Sequence, residues 1–441
     1  MPIGENEQDM ERPGRARRNR WWLALAGLAL LALAAFFFMW RPALPAQAAP
    51  ARFDSALVAR GAKLSKLGMC AACHTVDPSK PFAGGLAVKT PFGAVYSTNI
   101  TPHAGTGIGN WSFDAFERAM RQGVARDGRL LYPAFPYNHY TRMAPEDMRA
   151  LYAYFMTRPA LAAPARENSM RFPFGFRPLV AFWNLLYLDE SPWQLDARQS
   201  AEWNRGAYVA NVLAHCGACH TPRSLLGGPD LQRRFDGGEA GGWYAPALNS
   251  KSPSPLPWTR EHLEQYLRTG IAPEHAVAAG PMQDVVRNLG QADPADVAAL
   301  ATYLHSYLRQ APARATPAQQ AGPLPAPNDQ DPDLARMRLG YETYAMACAS
   351  CHELGRGPGS GAALQLQKAV ALYDPDPRSL VRIIREGIAP PEGEPGRWMP
   401  GFATLLGDAQ VTALAAYLRR YGAGAEPWPE LDDAVKKARE Q

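Results

Sequence analysis

The sequence predicts a mainly α-helical chain in which three small tandem domains follow one N-terminal transmembrane helix. Three observations support this fold class. First, the chain has 441 residues, and at about 150 residues per domain this length corresponds to roughly three domains. Second, an uncharged apolar run of membrane-spanning length lies near the N-terminus. Third, the six cysteines form three pairs with the same internal spacing, and each pair lies in a repeated helical pattern.

Composition and charge exclude several classes of protein. With 47% hydrophobic and 20% charged residues, the chain is not a wholly disordered polymer. Its net charge of +5 comes from 46 basic and 41 acidic residues. This balance lacks the concentrated basic surface that nucleic-acid binding requires. We therefore expect a globular protein that does not bind nucleic acid.

The N-terminal segment 21–40 has the length and composition of a transmembrane anchor. Arginines precede it, so the positive-inside rule places the arm 1–20 in the cytoplasm and the chain after Arg41 on the periplasmic side of the cell inner membrane. A cleaved signal peptide is the alternative, because Ala46-Gln47-Ala48 offers a small-residue cleavage site. The apolar run exceeds the usual signal core, which favours a retained anchor. Both interpretations export the rest of the chain.

A unit repeated three times follows this segment. Each unit opens with a short helical pattern that contains a glycine and leads to a cysteine pair; these glycines are Gly61, Gly206 and Gly340. Further on, each has an amphipathic helix closed by a glycine suited to left-handed backbone, at Gly123, Gly270 and Gly387. Each unit ends in another helix. The predicted domains are the first unit 55–158, the second unit 200–309 and the third unit 333–421.

The remaining segments connect or extend these units. Segment 159–199 is rich in aromatic residues and too apolar for a solvated linker. We expect a strap packed on the neighbouring domain, with a docking surface for a partner or the bilayer as the alternative. Segment 310–332 is rich in Pro and Ala and predicts an extended surface spacer. Residues 422–441 form a charged tail.

Every cysteine belongs to a Cys-x-x-Cys-His run, which is the attachment pattern of c-type haem. Two thiols one helical turn apart can add to the vinyl groups of one porphyrin edge, and the adjacent histidine can bind the iron. The three runs contain Cys70, Cys73 and His74; Cys216, Cys219 and His220; and Cys348, Cys351 and His352. A zinc site would need a second pair nearby, and a thioredoxin-like dithiol would need a βαβ context. The pattern therefore predicts three covalently bound haem c groups.

A six-coordinate electron carrier also needs a distal iron ligand, commonly methionine. Met282 lies 12 residues after Gly270, and Met399 lies 12 residues after Gly387. We predict these two methionines as distal ligands in the second and third units. Core packing is the alternative role for a methionine.

The first unit departs from this spacing. Twelve residues after its helix-ending glycine stands Phe135, which cannot ligate iron. Met143 is the predicted distal ligand here. His139 and Met120 are alternatives, and an iron with an open position is a third.

Four sequence motifs resemble those of a known family, the three-haem cytochrome c subunits of membrane-bound bacterial dehydrogenases for gluconate, alcohol and aldehyde. Besides the haem runs, the motifs are Tyr96-Ser-Thr-Asn-Ile-Thr-Pro102, Thr106-Gly-Ile-Gly-Asn-Trp-Ser112, Tyr132-Pro-Ala-Phe-Pro-Tyr137 and His215-Cys-Gly-Ala-Cys-His-Thr-Pro-Arg223. The resemblance covers about residues 55–420 and implies three tandem class I cytochrome c-like domains.

This resemblance also implies a function. A separate catalytic subunit of flavin, pyrroloquinoline quinone or molybdopterin type would oxidise a substrate outside the cytoplasmic membrane. This chain would pass the electrons to ubiquinone or a terminal oxidase, with no substrate-oxidising site of its own. The alternative is a haem enzyme of the di-haem peroxidase kind, with an open iron site in the first unit.

Overall fold

The fold is described from a computed structural model, which covers residues 15–313, 322–353, 363–390 and 399–440. Residues 1–14 of the predicted cytoplasmic arm and residues 314–321 of the predicted spacer therefore lie outside the described residues, as does the last residue of the tail.

Helix α1 (Arg15–Met39) contains the predicted membrane span. Its segment Trp21–Met39 has a mean hydropathy of 2.4, and no part of its most apolar stretch is buried inside the protein. Within the described part of the chain it is the one helix long and apolar enough to cross a membrane, and a signal sequence would share these properties. Beyond α1 the chain is fixed to the first unit, because Leu44 N donates to Arg126 O at 2.7 Å.

The three units consist mainly of helices joined by loops. The first contains α2 (Ser55–Leu67), α3 (Cys70–His74), α4 (Phe113–Gln122), α5 (Tyr137–Tyr140) and α6 (Pro145–Met156). After α7 (Val180–Tyr187), the second contains α8 (Ala201–Tyr208), α9 (Gly217–His220), α10 (Arg260–Thr269), α11 (Pro281–Leu289) and α12 (Pro294–Leu308). The third contains α13 (Leu334–Ala347), α14 (Ala349–His352), α15 (Arg378–Glu386) and α16 (Asp408–Tyr417), followed by α17 (Leu431–Glu440).

Short antiparallel strands brace the loops. The strands are β1 (Ala87–Thr90), β2 (Gly93–Tyr96), β3 (Ser169–Met170), β4 (Gly238–Ala240), β5 (Trp243–Ala245), β6 (Ile271–Ala272) and β7 (Ala276–Val277). Strand β2 pairs with β1 and β3, whereas β4 pairs with β5 and β6 with β7. In the first sheet Ala87 lies opposite Tyr96, and Gly93 lies opposite Met170.

Helix ends follow the predicted glycine pattern. Ser112 caps the N-terminus of α4, and its side chain accepts a hydrogen bond from Ala115 N. The three predicted glycines all have positive φ, at Gly123 (63°), Gly270 (74°) and Gly387 (75°). The first two adopt the left-handed helical conformation, in which a side chain would be strained, whereas the third has ψ of −169°. The sequence prediction of left-handed caps is therefore confirmed for two of the three helices.

The opening and closing helices of each unit cross at a glycine, in the pairs α2 with α6, α8 with α12, and α13 with α16. A Cβ atom at these glycines would approach a backbone oxygen of the crossing helix. The distances would be 2.0 Å from Gly61 to Ala150 O, 1.9 Å from Gly206 to Ala299 O, and 2.3 Å from Gly340 to Ala413 O. Only glycine therefore permits the helices to lie this close. The same crossing occurs three times along the chain.

The first and second units share one hydrophobic core, to which Leu67, Val209 and Leu300 belong. Asp147, only 2% exposed, joins the two units through its carboxylate. It accepts hydrogen bonds from Arg60 Nε and from Tyr208 OH, both at 2.8 Å. The third unit has a separate core, so the chain has two main packing centres within its described part.

The predicted strap 159–199 has one packed face and one exposed face. Strand β3 extends the first sheet, and Val180 and Ala181 are buried against Leu130 and Tyr132. The opposite face carries large apolar side chains that remain exposed, including Phe172, Leu185 and Leu186. The segment therefore packs on the first unit through only part of its surface.

Two segments outside the predicted units are packed more closely than their composition indicates. Within the predicted spacer 310–332, Leu324 is buried in the third core, and Pro325 O accepts a hydrogen bond from Tyr417 OH at 2.9 Å. In the predicted tail 422–441, Leu431 and Val435 are buried in the same core. Residues 322–332 are therefore not a free spacer and α17 is not a free tail, because their apolar side chains cover the third unit.

Candidate functional site

All three Cys-x-x-Cys-His runs form a single helical turn, namely α3, α9 and α14. The chain enters the first two turns through non-glycine residues with positive φ, Met69 at 51° and His215 at 40°. Such a backbone is uncommon and marks a locally constrained bend. All six cysteines are free thiols, so no disulfide competes for them.

The histidine of each run is oriented by a backbone carbonyl. Its Nδ1 atom lies close to a carbonyl oxygen, at 2.6 Å from Thr98 for His74, 2.7 Å from Pro246 for His220, and 2.7 Å from Leu364 for His352. Because a carbonyl can only accept, Nδ1 carries the proton in each case. The Nε2 atom is then unprotonated, which is the form that binds a metal.

Burial keeps these histidines neutral. It lowers the pKa of His74, His220 and His352, and the hydrogen bond to the carbonyl opposes this effect only in part. Each imidazole therefore offers an available nitrogen lone pair near pH 7.

The cysteine environments differ from those of reactive dithiols. Burial raises the pKa of Cys70, Cys216 and Cys348 to about 12. Dithiol oxidoreductases and zinc sites instead stabilise the thiolate form. Free thiol pairs beside an oriented histidine fit a covalently attached c-type haem, in which the cysteines would form the thioether links and His74, or its equivalent, would bind the iron. The bound group would supply a reversible one-electron couple.

The two methionines predicted as distal ligands occupy different backbone positions despite their equal spacing in sequence. Met399 pairs directly with Ile388, with Met399 N donating to Ile388 O at 3.0 Å. In the second unit Val277 takes this place opposite Ile271, and Met282 follows in the first turn of α11. Both methionines are partly exposed. Their ligand roles stay predictions.

In the first unit, Phe135 packs against the rings of Tyr137 and Tyr140, with centroid distances of 6.1 and 5.7 Å. Met143 is only 2% exposed and lies in the shared core, which also contains Met120. Its carbonyl accepts a hydrogen bond from Arg121 Nη2 at 2.8 Å. The structure thus fixes the backbone of Met143, and its role as the distal ligand stays a prediction.

His139 lies against the second haem-attachment run. Its Nδ1 atom is 2.9 Å from Asn211 O, and a Cβ placed on Gly217 would lie 3.8 Å from its Cε1. Burial lowers its pKa to about 4, so the ring is neutral. His139 therefore belongs to the junction between the first two units.

A second set of contacts crosses the same junction in the opposite direction. The side chain of His215, which precedes the second run, interacts with the backbone of Gly68, just ahead of the first run. Tyr140 OH also donates to Gly68 O at 3.2 Å and packs edge-on against the His215 ring. No spacing pattern in the sequence indicates this arrangement, because its members are single residues far apart along the chain.

Polar contacts also join the second and third units. Arg378 pairs with Glu239 at 2.6 Å, Ser379 Oγ donates to Tyr244 O at 2.9 Å, and Lys368 pairs with Glu274 at 2.8 Å. The second unit therefore contacts both of the others.

The side chains of the Asn- and Thr-rich motif in the first unit form hydrogen bonds within the protein. Asn99 Nδ2 donates to Leu161 O at 2.7 Å, and Thr106 Oγ1 accepts from Ala163 N at 3.0 Å. These side chains fix the start of the strap on the first unit.

Two family models match parts of the chain. The family described as cytochrome c matches residues 58–159. The family described as cytochrome C oxidase, cbb3-type, subunit III matches residues 335–418.

Similar proteins cover most of the chain. The fructose dehydrogenase cytochrome subunit of Gluconobacter japonicus is 34% identical over 90% of this chain and 85% of its own length. The gluconate 2-dehydrogenase cytochrome c subunit of Pantoea cypripedii is 36% identical over 88% and 91%. A nicotinate dehydrogenase subunit of Pseudomonas putida is 42% identical over 99% of this chain, which spans only 37% of that relative's length.

Proposed function

The chain belongs to the cytochrome c subunits of membrane-bound dehydrogenases, and we propose that it carries three haem groups and relays electrons from a catalytic subunit to a membrane acceptor. Family membership establishes electron transfer within a dehydrogenase complex and covalently bound haem c. The number of haems and the identity of the acceptor are the finer parts of the proposal.

One repeated feature supports a count of three. In all three runs the histidine Nδ1 donates to a carbonyl of a downstream loop, and the three carbonyls belong to different residue types. This bond serves to orient a metal-binding imidazole. A run that had lost its haem would have no such requirement.

The contacts between units support a relay. The first two runs meet at a junction built by His139, His215 and Tyr140, and the second unit also contacts the third. The chain thereby holds its attachment sites in sequence without relying on a flexible linker.

The partners follow from the family. We propose a catalytic subunit with a flavin, pyrroloquinoline quinone or molybdopterin cofactor, and ubiquinone or a terminal oxidase as the acceptor. Helix α1 and the arginines that precede its apolar segment support a location on the periplasmic side of the inner membrane. The peroxidase alternative has no support from the similar proteins.

The haem content of the purified full-length chain tests the proposal. We expect three haems per chain, and we expect the double variant Cys348→Ala/Cys351→Ala to remove one of them, because both thioether links of that run are lost. Ser350→Ala, within the same run, is the matched control and should keep all three. A content of two haems in the unchanged protein would contradict the proposal.

The spin state of the same samples tests the first site. Replacing Met143 with leucine should convert one third of the low-spin haem to high-spin, because leucine keeps the volume and cannot ligate. Met120→Leu should leave the spectrum unchanged. If only the second variant becomes high-spin, Met120 is the ligand; a high-spin fraction in the unchanged protein would revive the peroxidase alternative.

A further inference from the structure

We propose that an exposed apolar face, formed by residues 172–186 of the strap and the loop 224–231 of the second unit, inserts into the outer leaflet of the bilayer that α1 spans. This inference rests on the membrane location in the proposed function and adds a second attachment to it.

The face consists of large apolar side chains that the protein leaves uncovered. Their exposed fractions are 97% for Phe172, 57% for Phe176, 44% for Phe182, 70% for Leu185 and 61% for Leu186. Scattered single apolar residues on a surface are ordinary, whereas a contiguous group indicates an interaction site.

The residues that carry the face belong to an element that is packed on the first unit. On the inner side of α7, Val180 and Ala181 are buried, and Asn184 accepts a hydrogen bond from Tyr137 OH at 2.5 Å. Strand β3 holds the preceding residues to β2. The exposed residues are therefore presented outward by a packed element, and they are not the result of a frayed segment.

The second unit extends the same face. Tyr187 OH, at the end of α7, lies 2.7 Å from Ser224 Oγ. The loop that begins there carries Leu225 and Leu226, which are 98% and 50% exposed. Two units thus contribute apolar side chains to one side of the protein.

Continuity with α1 identifies the bilayer as the occupant. The rings of Phe38 and Phe182 are 5.3 Å apart, and Met39 packs on the cluster that contains Val180. The apolar run of α1 ends at this contact. The exposed face therefore lies level with the point where α1 leaves the hydrocarbon.

Charged side chains of both signs border the face. Arg171 is exposed at one margin, Arg223 is exposed at another and donates to Ala218 O and Gly227 O, and Asp189 and Glu190 are exposed just beyond α7. An exposed arginine such as Arg171 can reach a lipid phosphate while the apolar side chains enter the acyl region by about 5–10 Å. A protein partner would not require this alignment with the end of α1.

Labelling from within the lipid phase tests the inference. The full-length haem-containing chain is reconstituted into phosphatidylethanolamine and phosphatidylglycerol vesicles with a membrane-soluble carbene reagent, and its tryptic peptides are compared. We expect peptides 172–198 and 224–233 to be labelled at least five-fold above peptide 398–419. That peptide carries Leu405, which is 72% exposed in the third unit and serves as the matched control.

The double variant Leu185→Glu/Leu186→Glu should lose most of the label in peptide 172–198, while peptide 21–52, which contains α1, keeps its label. Leu405→Glu should change neither peptide. Unchanged haem absorption shows that the variants are folded, and Leu225→Glu supplies an independent variant on the second unit, with loss of label expected in peptide 224–233.

The outcomes separate this inference from the proposed anchor. Label in peptide 21–52 with only background in peptide 172–198 would overturn the inference and leave the anchor intact. If peptide 21–52 is missing from the mature chain and peptide 172–198 is still labelled, α1 is a cleaved signal and the apolar face alone attaches the protein. Absence of label from both would overturn both.

Discussion

Asp374 places a buried carboxyl group inside the third unit. It is 2% exposed, and its Oδ1 atom has no hydrogen-bond partner within the described residues. Burial raises its pKa well above the usual range, and Asp376 adds to this effect, while Arg419 opposes it. The folded protein therefore holds a proton on Asp374 at a pH where the unfolded chain has released it.

Because the pKa of Asp374 is raised, we predict that Asp374→Asn increases the stability of the protein in a pH-dependent way. As the pH rises above 3.8, the folded chain binds more protons at this site than the unfolded chain, so stability falls. The neutral amide avoids that loss and should stabilise the third unit by about 1–3 kcal/mol at pH 7. The gain should vanish near pH 4, which calorimetry at both pH values measures. Asp376→Asn is the control and should destabilise, because it breaks the pair with Arg378.

At this scale the sequence alone predicts the attachment residues, whereas it does not indicate the groups that support them. The Cys-x-x-Cys-His run carries its own chemical signature, so adjacent residues are enough to predict His74 and its counterparts as iron ligands. The carbonyls that orient them lie 24, 26 and 12 residues away in sequence. Any residue type supplies a carbonyl, so only the folded backbone reveals which one is used.

Helix crossings at glycine are the recurring structural element of the chain. In each unit the opening and closing helices approach so closely that a methyl group would overlap a backbone oxygen. The neighbouring turn brings a tyrosine to the same crossing; the three are Tyr154, Tyr303 and Tyr417. The crossing therefore sets the position of the helix that leads directly into each attachment run.

Gly61→Ala should consequently damage the first unit. A Cβ at this position would lie 2.0 Å from Ala150 O and 2.6 Å from Tyr154 Cβ, so the helices must separate. We expect a loss of about 1–3 kcal/mol in thermal unfolding and reduced haem content. Gly105→Ala, whose Cβ would lie 3.5 Å from His103 Cε1, is the matched control and should behave like the unchanged protein. Equal stability of the two variants would refute the argument.

Hydrophobic periodicity predicted most helices, whereas the sequence offered little information about how the elements pack against one another. The sequence of α17 contains a helical pattern, because Leu431, Ala434, Val435 and Ala438 follow helical spacing. The many charged residues between them led to the prediction of a charged tail. Equal sequence spacing of Met282 and Met399 did not correspond to equal backbone positions, because Ile388 pairs with Met399 itself whereas Ile271 pairs with Val277. The division of the strap into packed and exposed faces depended on tertiary contacts.

On the scale of the whole molecule, the packing of the described residues predicts that the three units unfold as two cooperative bodies. The first two units share a core and the buried Asp147 bridge, while the third has its own core. The described contacts between the second and third units are largely polar. They include two ion pairs, which contribute little individually, and the hydrogen bonds of Ser379 with the backbone of Tyr244.

Calorimetry of the full chain should therefore show two unfolding transitions. Asp147→Ala leaves Arg60 and Tyr208 without their shared acceptor and should lower one transition, with a loss of about 1–3 kcal/mol. Asp374→Asn should move only the other. A single transition that both variants shift would contradict this division of the molecule.

The reciprocal contacts of His139 with Asn211 and of His215 with Gly68 bear on how the first two sites communicate. A histidine of each unit thus contacts the backbone of the other unit, a few residues before that unit's attachment run. Electron exchange between haems at these two sites, as we propose, would then take place at a preset spacing and would not await a diffusive encounter of the two units. Solvent viscosity, which slows partners that must meet, has little influence on such a step.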